Sequence, residues 1–167
     1  LMIPVGAGSY GQALDWVCRV RASATALCAE QGITTLLADE GGLSPGFETS
    51  EEALALMVKA FARAGLEPGK DAAIALDIAS SSLVNDAGDY PFVRQGRTYS
   101  ASEMIALQQA WVADFPIISI EDGLGEDDWT NWPAMTTALG KIQLVGDDLF
   151  ATQPARIDRA VARGICN

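Results

Sequence analysis

Short apolar runs alternate with longer stretches in which apolar residues recur every three to four positions, and the alternation spans the whole chain. Five runs read as strands: residues 1–5 (LMIPV), 33–38 (ITTLLA), 72–79 (AAIALDIA), 116–122 (PIISIED) and 141–148 (KIQLVGDD). Between them the spacing predicts helices with recognisable starts. Residues 12–20 (QALDWVCRV) are helix-like. Thr49 stands three residues before Glu52, the spacing of a capping box, and Leu54, Met57, Val58 and Phe61 then share a face. Ser100 and Glu103 repeat the device ahead of Met104, Leu107, Trp111 and Val112. Thr152 with Pro154 opens a last helix in which Ile157, Ala160 and Val161 face one way. Residues 85–100 break the rhythm and predict a short hairpin or loop. Strand followed by helix, repeated, argues an α/β fold with a parallel sheet.

Glycines 6, 8 and 11 in GAGSYG form the G-x-G-x-x-G spacing of a dinucleotide-binding turn. The context argues against that use. Pro4 interrupts the preceding run, and Asp39, the first acid at a strand end, lies well past the about 20 residues expected for a ribose contact. The glycines are expected to let the chain turn tightly into a helix.

Charge narrows the function. Eleven Lys and Arg face 22 Asp and Glu, a formal charge of −11, which repels phosphate backbones and excludes nucleic acid as a partner. A cation or a metal–anion complex is the more natural partner. No segment is apolar enough over sufficient length to span a membrane, and no basic and apolar leader stands at the start. The three cysteines, odd in number and without metal-ligand spacing, fit reduced thiols and a cytoplasmic setting. The absence of histidine matters more, because it removes the commonest general base and the usual zinc ligand. Catalysis must then run on carboxylates, lysine or hydroxyls.

Four of the five strand candidates end in acid: Asp39 and Glu40, Asp77, Glu121 and Asp122, Asp147 and Asp148. In a parallel sheet or barrel the C-terminal strand ends meet at one face, where ligands bind. Crowded carboxylates repel unless a cation neutralises them, and Mg²⁺ favours hard oxygen ligands while keeping positions open for substrate. The competing explanation is that acids after strands cap helices; Asp127 and Asp128, just before Trp129, fit that role.

Four segments, ADEGG (38–42), ALDIASS (75–81), SIEDGLGEDDW (119–129) and VGDDLFATQPARI (145–157), occur in the order found in the enolase family, and the opening LMIPVGAGSYGQAL is similar to the start of that family's barrel domain. The resemblance implies a partial TIM-type (β/α) barrel, an enolase C-terminal domain over residues 1–167 that is truncated at both ends, since a whole barrel needs about 250 residues. It implies Asp77, Glu121 and Asp147 as ligands of Mg²⁺, and Glu40 as a catalytic acid acting on the leaving hydroxyl. The implied reaction is the glycolytic interconversion of 2-phosphoglycerate and phosphoenolpyruvate, a small-molecule partner. The full-length protein would be a homodimer, without nucleic-acid or membrane partners. The family's base, a lysine, would lie on the strand after Asn167, so the 167-residue chain alone is expected to be inactive.

Two positions depart from the family pattern. Gly123 replaces a proline, which predicts a looser loop after Glu121, and Ser82 replaces a glutamate. Other readings are an enolase-superfamily enzyme acting on a different carboxylate, and a non-catalytic or binding-only homologue. A phospho-accepting signalling module fits poorly, because Lys141 precedes its strand instead of ending it.

Overall fold

Side-chain caps mark the starts of three of the five α-helices. In the computed structural model, which describes residues 1–167, the chain forms two units: residues 2–73, and residues 74–167 with Leu1. In the first unit a two-residue strand β1 (Met2–Ile3) stops before Pro4, and the glycine-rich turn leads into helix α1 (Tyr10–Glu30). Ser9 caps that helix, its hydroxyl accepting from the Gln12 amide at 3.2 Å. The Gly8 amide donates to the Gln12 side-chain carbonyl at 2.7 Å, so it is already satisfied locally. Gly6 has a different reason to be glycine. A Cβ there would lie 2.8 Å from the Lys70 carbonyl oxygen and 2.9 Å from Asp71 Cα, where the two backbones run close together.

Helix α2 (Ser50–Arg63) packs against α1 through Leu54, Leu56, Ala60 and Phe61 against Val20, Ala24 and Cys28, all buried. Arg63 pairs with Glu30 at 2.7 Å at the rim, and Arg19 donates to the Ala64 carbonyl. Thr49 caps α2 by accepting from the Glu52 amide at 3.2 Å. The Glu52 carboxylate accepts from the Glu48 amide at 3.1 Å instead of closing the reciprocal box on Thr49.

Residues 33–38 are not a strand, contrary to their apolar character. The segment folds back on itself: Leu37 bridges Leu43 antiparallel, the Ala38 amide donates to the Gly42 carbonyl at 2.9 Å, and the Gly41 amide donates to the Ala38 carbonyl at 2.8 Å. Gly41, at φ 80, supplies the left-handed residue that closes the turn. Turn chemistry in ADEGG outweighs the apolar run before it, and Leu36 and Leu37 remain exposed.

The second unit carries a parallel sheet in the order β2 (Ala73–Asp77), β5 (Ile117–Glu121), β6 (Gln143–Val145). Between β2 and β5 the chain makes a hairpin, β3 (Tyr90–Phe92) and β4 (Arg97–Tyr99), then helix α3 (Ala101–Asp114). The hairpin is the break anticipated at residues 85–100; Gly96 at φ 60 completes its turn, and Phe92 meets Tyr99 edge-on at 5.0 Å. The full capping box forms at α3, Ser100 and Glu103 each bonding the other's backbone amide. Helix α4 (Trp132–Leu139) precedes β6, and α5 (Pro154–Arg163) follows it. The residue at the N-cap of α5 is Gln153 and not Thr152, whose φ of 54 places it in the turn ahead. Ile74, Ile117, Ile120 and Leu144 from the strands, with Met104, Trp111, Trp132 and Met135 from the helices, form the buried core.

Candidate metal centre

The strand register brings the acids together. Asp77 is the partner of Glu121 across β2 and β5, and Glu121 is the partner of Val145 across β5 and β6, so three parallel strands end at one level. Carboxylate oxygens of Asp77, Glu121 and Asp122 lie within 4.8 Å of one another. Asp77 is exposed, and its Oδ1 accepts from the Ala79 amide at 3.1 Å; Ala79 itself is held left-handed at φ 47. Glu121 is half-buried. Burial pushes its carboxyl above the usual carboxylate range, and the neighbouring charges of Asp77, Asp122, Asp147 and Asp148 push it the same way. No cation acts on it in opposition. The arrangement is a set of hard oxygen donors with crowded negative charge, which is the chemistry a divalent cation such as Mg²⁺ requires.

Asp147, expected as the third ligand, stands exposed just past the end of β6, close enough for its charge to act on Glu121. It is outside the group whose oxygens come within 4.8 Å; Asp122 is in its place. The sequence placed Asp122 only among the acids at strand ends, and the family resemblance assigned the ligand roles to Asp77, Glu121 and Asp147; in a regular strand neighbouring residues face opposite sides. Asp122 breaks that alternation at φ 44 and is buried, 2% exposed. Its Oδ1 accepts from the Asp147 amide at 3.1 Å and the Leu149 amide at 3.4 Å, and its Oδ2 accepts from the Asp148 amide at 2.8 Å. An E-D doublet ending a strand, with a second acidic doublet ending the next one, was the available signal.

Glu40 belongs to the other unit, where it sits exposed in the turn of residues 38–41. Asp128 works one turn ahead of α4, accepting from the Asn131 amide at 3.1 Å, while Asp127 pairs with Arg156 at 3.3 Å. Neither caps a helix directly.

The loop after Glu121 is held at residues 123, 125 and 126, not loosened by Gly123. Gln108 Nε2 donates to the Gly123 carbonyl at 2.7 Å, the Tyr90 hydroxyl accepts from the Gly125 amide at 3.0 Å, and Ser81 Oγ accepts from the Glu126 amide at 3.0 Å. Arg156 Nε donates to the Leu149 carbonyl and its Nη2 to the Glu126 carbonyl, both at 2.5 Å, which ties this loop to the one after β6. Side-chain anchors replace the stiffness a proline would give.

The family described as the enolase C-terminal TIM barrel domain matches residues 1–167. The chain belongs to the enolase family. It is 42% identical over 168 residues to Enolase 1 of Methanospirillum hungatei JF-1, an alignment covering 100% of this chain and 39% of that protein. The fold is accordingly that of the enolase C-terminal barrel domain, represented here by parallel strands that do not close into a barrel. Within this family frame Asp77 and Glu121 terminate adjacent strands of the parallel sheet, and Asp147 lies two residues past the end of the next. No helix is long and apolar enough to cross a membrane.

Proposed function

We propose that the intact protein is an enolase, a cytoplasmic hydro-lyase of glycolysis that dehydrates 2-phosphoglycerate reversibly to phosphoenolpyruvate with Mg²⁺, and that it works as a homodimer. The observation that carries this reading is the meeting of acids at three adjacent strand ends, in a chain of the enolase family, with every influence on Glu121 disfavouring its charge. Asp77, Glu121 and Asp147 would hold the ion. When bound, Mg²⁺ supplies the positive charge that stabilises a carboxylate substrate as it gains negative charge on losing its α proton.

The chain's own residues have the remaining tasks. Asp77 and Glu121 present oxygens from fixed strand ends, so little reorganisation is needed as charge develops. Asp147 completes the set from the turn after β6. Glu40 would donate a proton to the departing hydroxide, a role open to a carboxylic acid of suitable pKa. The base that removes the α proton is expected on the strand after Asn167, and the 167-residue chain by itself is expected to be inactive.

In the intact protein, Asp147→Asn should abolish Mg²⁺-dependent formation of phosphoenolpyruvate. Unchanged turnover at saturating Mg²⁺ would remove Asp147 from the ligand set. A second reading, an enolase-superfamily enzyme acting on another carboxylate or a non-catalytic homologue, draws on Gly123 and Ser82, the two departures from the family pattern. Turnover of a different α-proton-bearing carboxylate in preference to 2-phosphoglycerate would favour the former, and Mg²⁺ binding without turnover the latter.

A further inference from the structure

We infer that Asp122 is the positioning residue of the metal centre: it fastens the ends of β2, β5 and β6 to one another and fixes the turn bearing Asp147, without acting as a ligand. The inference rests on the Mg²⁺ reading above and names a residue that this reading leaves without a task.

Asp122 follows β5 directly and bonds to the end of β6 and to the segment after β2. The Asp122 amide donates to the Val145 carbonyl at 3.1 Å, at the end of β6. Its carbonyl accepts from the Ser80 amide at 3.1 Å, just beyond β2. Its side chain takes the three consecutive amides of Asp147, Asp148 and Leu149. Those amides open a helical turn, since the Phe150 and Ala151 amides both donate to the Asp147 carbonyl, at 3.0 and 2.8 Å. Such first-turn amides have no partner within their own turn. Asp122 therefore acts as a cap delivered from another strand, and a carboxylate accepting from amides forms the stronger, charge-assisted kind of bond.

The same bonds argue against ligation. A carboxylate offers about four lone-pair sites, and three are engaged by backbone amides. The left-handed φ of 44 has a purpose in this account: it turns the side chain of residue 122 under the neighbouring strand end instead of away from it. Aspartate tolerates that conformation better than most residues. Nearness of Asp122 to Asp77 and Glu121 then follows from its position as the tie between strands.

The test is Asp122→Asn in the intact protein, with two measurements. The first is amide hydrogen exchange in metal-free protein at residues 147–149, with the Gly125 amide as the internal control for the fold. The asparagine sets an NH₂ group against at least one of the three amides, and exchange there should rise about tenfold or more while Gly125 is unmoved. The second is calorimetric titration with Mg²⁺ alone, where affinity should fall about 10- to 100-fold, as for groups that orient metal ligands. Reduced affinity with unchanged exchange would make Asp122 a ligand and overturn the inference. Faster exchange with unchanged affinity would overturn its link to the metal, and no change in either would overturn both parts. A wild-type protein that binds no Mg²⁺ would refute the metal reading itself, while the exchange measurement still judges the hold on the turn. Asp122→Ser, which fits the same space and keeps one acceptor, takes the place of the asparagine variant if that one fails to fold.

Discussion

Replacing Gly123 by alanine should destabilise the protein, although the residue is the one place where the family resemblance implies a proline. A Cβ at residue 123 would lie 2.2 Å from Met135 Cε, 2.4 Å from Gln108 Oε1 and 3.1 Å from Met135 Sδ. Ordinary carbon contacts lie at about 3.5–4.0 Å. Met135 and Gln108 are both 0% exposed, so neither can swing out to solvent. Overpacking of this kind costs about 1–3 kcal/mol. Displacing Gln108 also endangers its bond to the Gly123 carbonyl, a further about 0.5–1.5 kcal/mol. The gain from restricting the unfolded chain, about 0.4–1 kcal/mol, offsets only part of this. The net loss should be about 2 kcal/mol, read as a lower urea midpoint at unchanged slope.

Coupling gives the sharper criterion. If the clash with Met135 is the cause, combining Gly123→Ala with Met135→Ala should recover about 1 kcal/mol or more relative to the sum of the single variants. Gly11→Ala serves as the contrast. It lies inside α1 with nothing within 4 Å of its would-be Cβ, and should gain about 0.5–1 kcal/mol. A Gly123→Ala protein as stable as wild type, or one showing no coupling to Met135, would refute the account. A proline here would bring a Cβ into the same space, so the packing of Gln108 and Met135 depends on glycine at residue 123.

Two other outcomes follow from titrating groups. Glu121 is raised above its ordinary 4.5, so its protonated form is favoured by the fold; the stability this confers is present below that value and is lost as pH rises through the raised one. Metal-free wild type should therefore lose stability relative to Glu121→Gln as pH rises above about 4.5, and Mg²⁺ should reverse the order at neutral pH. A metal-free Glu121→Gln protein less stable than wild type at neutral pH would contradict this. Among the thiols, burial pushes Cys166 up to about 11, with the Asp122 charge adding to it, and burial also raises Cys28, while Cys18 is exposed. Mass-spectrometric mapping after brief maleimide treatment at neutral pH should find Cys18 labelled first; equal labelling of Cys166 would count against the burial described.

The elements that the sequence made legible are those whose signals are local. The Ser100–Glu103 box lies within four residues and forms as its spacing predicts. Strands β2, β5 and β6 fall inside the predicted apolar runs because each pairs with a neighbouring strand, buries apolar side chains such as Ile74, Ile120 and Leu144, and needs no special turn chemistry. Residues 33–38 were misread because an apolar run cannot reveal whether a partner strand is available, and the glycines just after it close a turn instead. Gly123 was misread for a related reason. Glycine in place of proline signals looseness only if nothing else grips the chain, and the grip comes from Gln108, Tyr90 and Ser81, none of them adjacent in sequence.

The acidic strand ends show where reading by residue type stops. Asp77, Glu121, Asp122, Asp147 and Asp148 are chemically interchangeable in a sequence, and strand alternation suggests that the members of a doublet do unlike things. It does not say which member faces the ligand. That division depends on which acid meets free backbone amides, a property of the turn after β6 and not of the acid itself. Asp122 finds three such amides across the strand boundary and becomes buried, while Glu121 finds only like charges and burial to oppose its ionisation. One carboxylate is satisfied by the protein, and under the Mg²⁺ proposal its neighbour would be satisfied by the cation. On that proposal the doublet would separate the holding of the strand ends from the holding of the ion. For that reason Asp122→Asn and Glu121→Gln should act in opposite directions on the metal-free protein, the first loosening the turn at residues 147–149 and the second stabilising the fold.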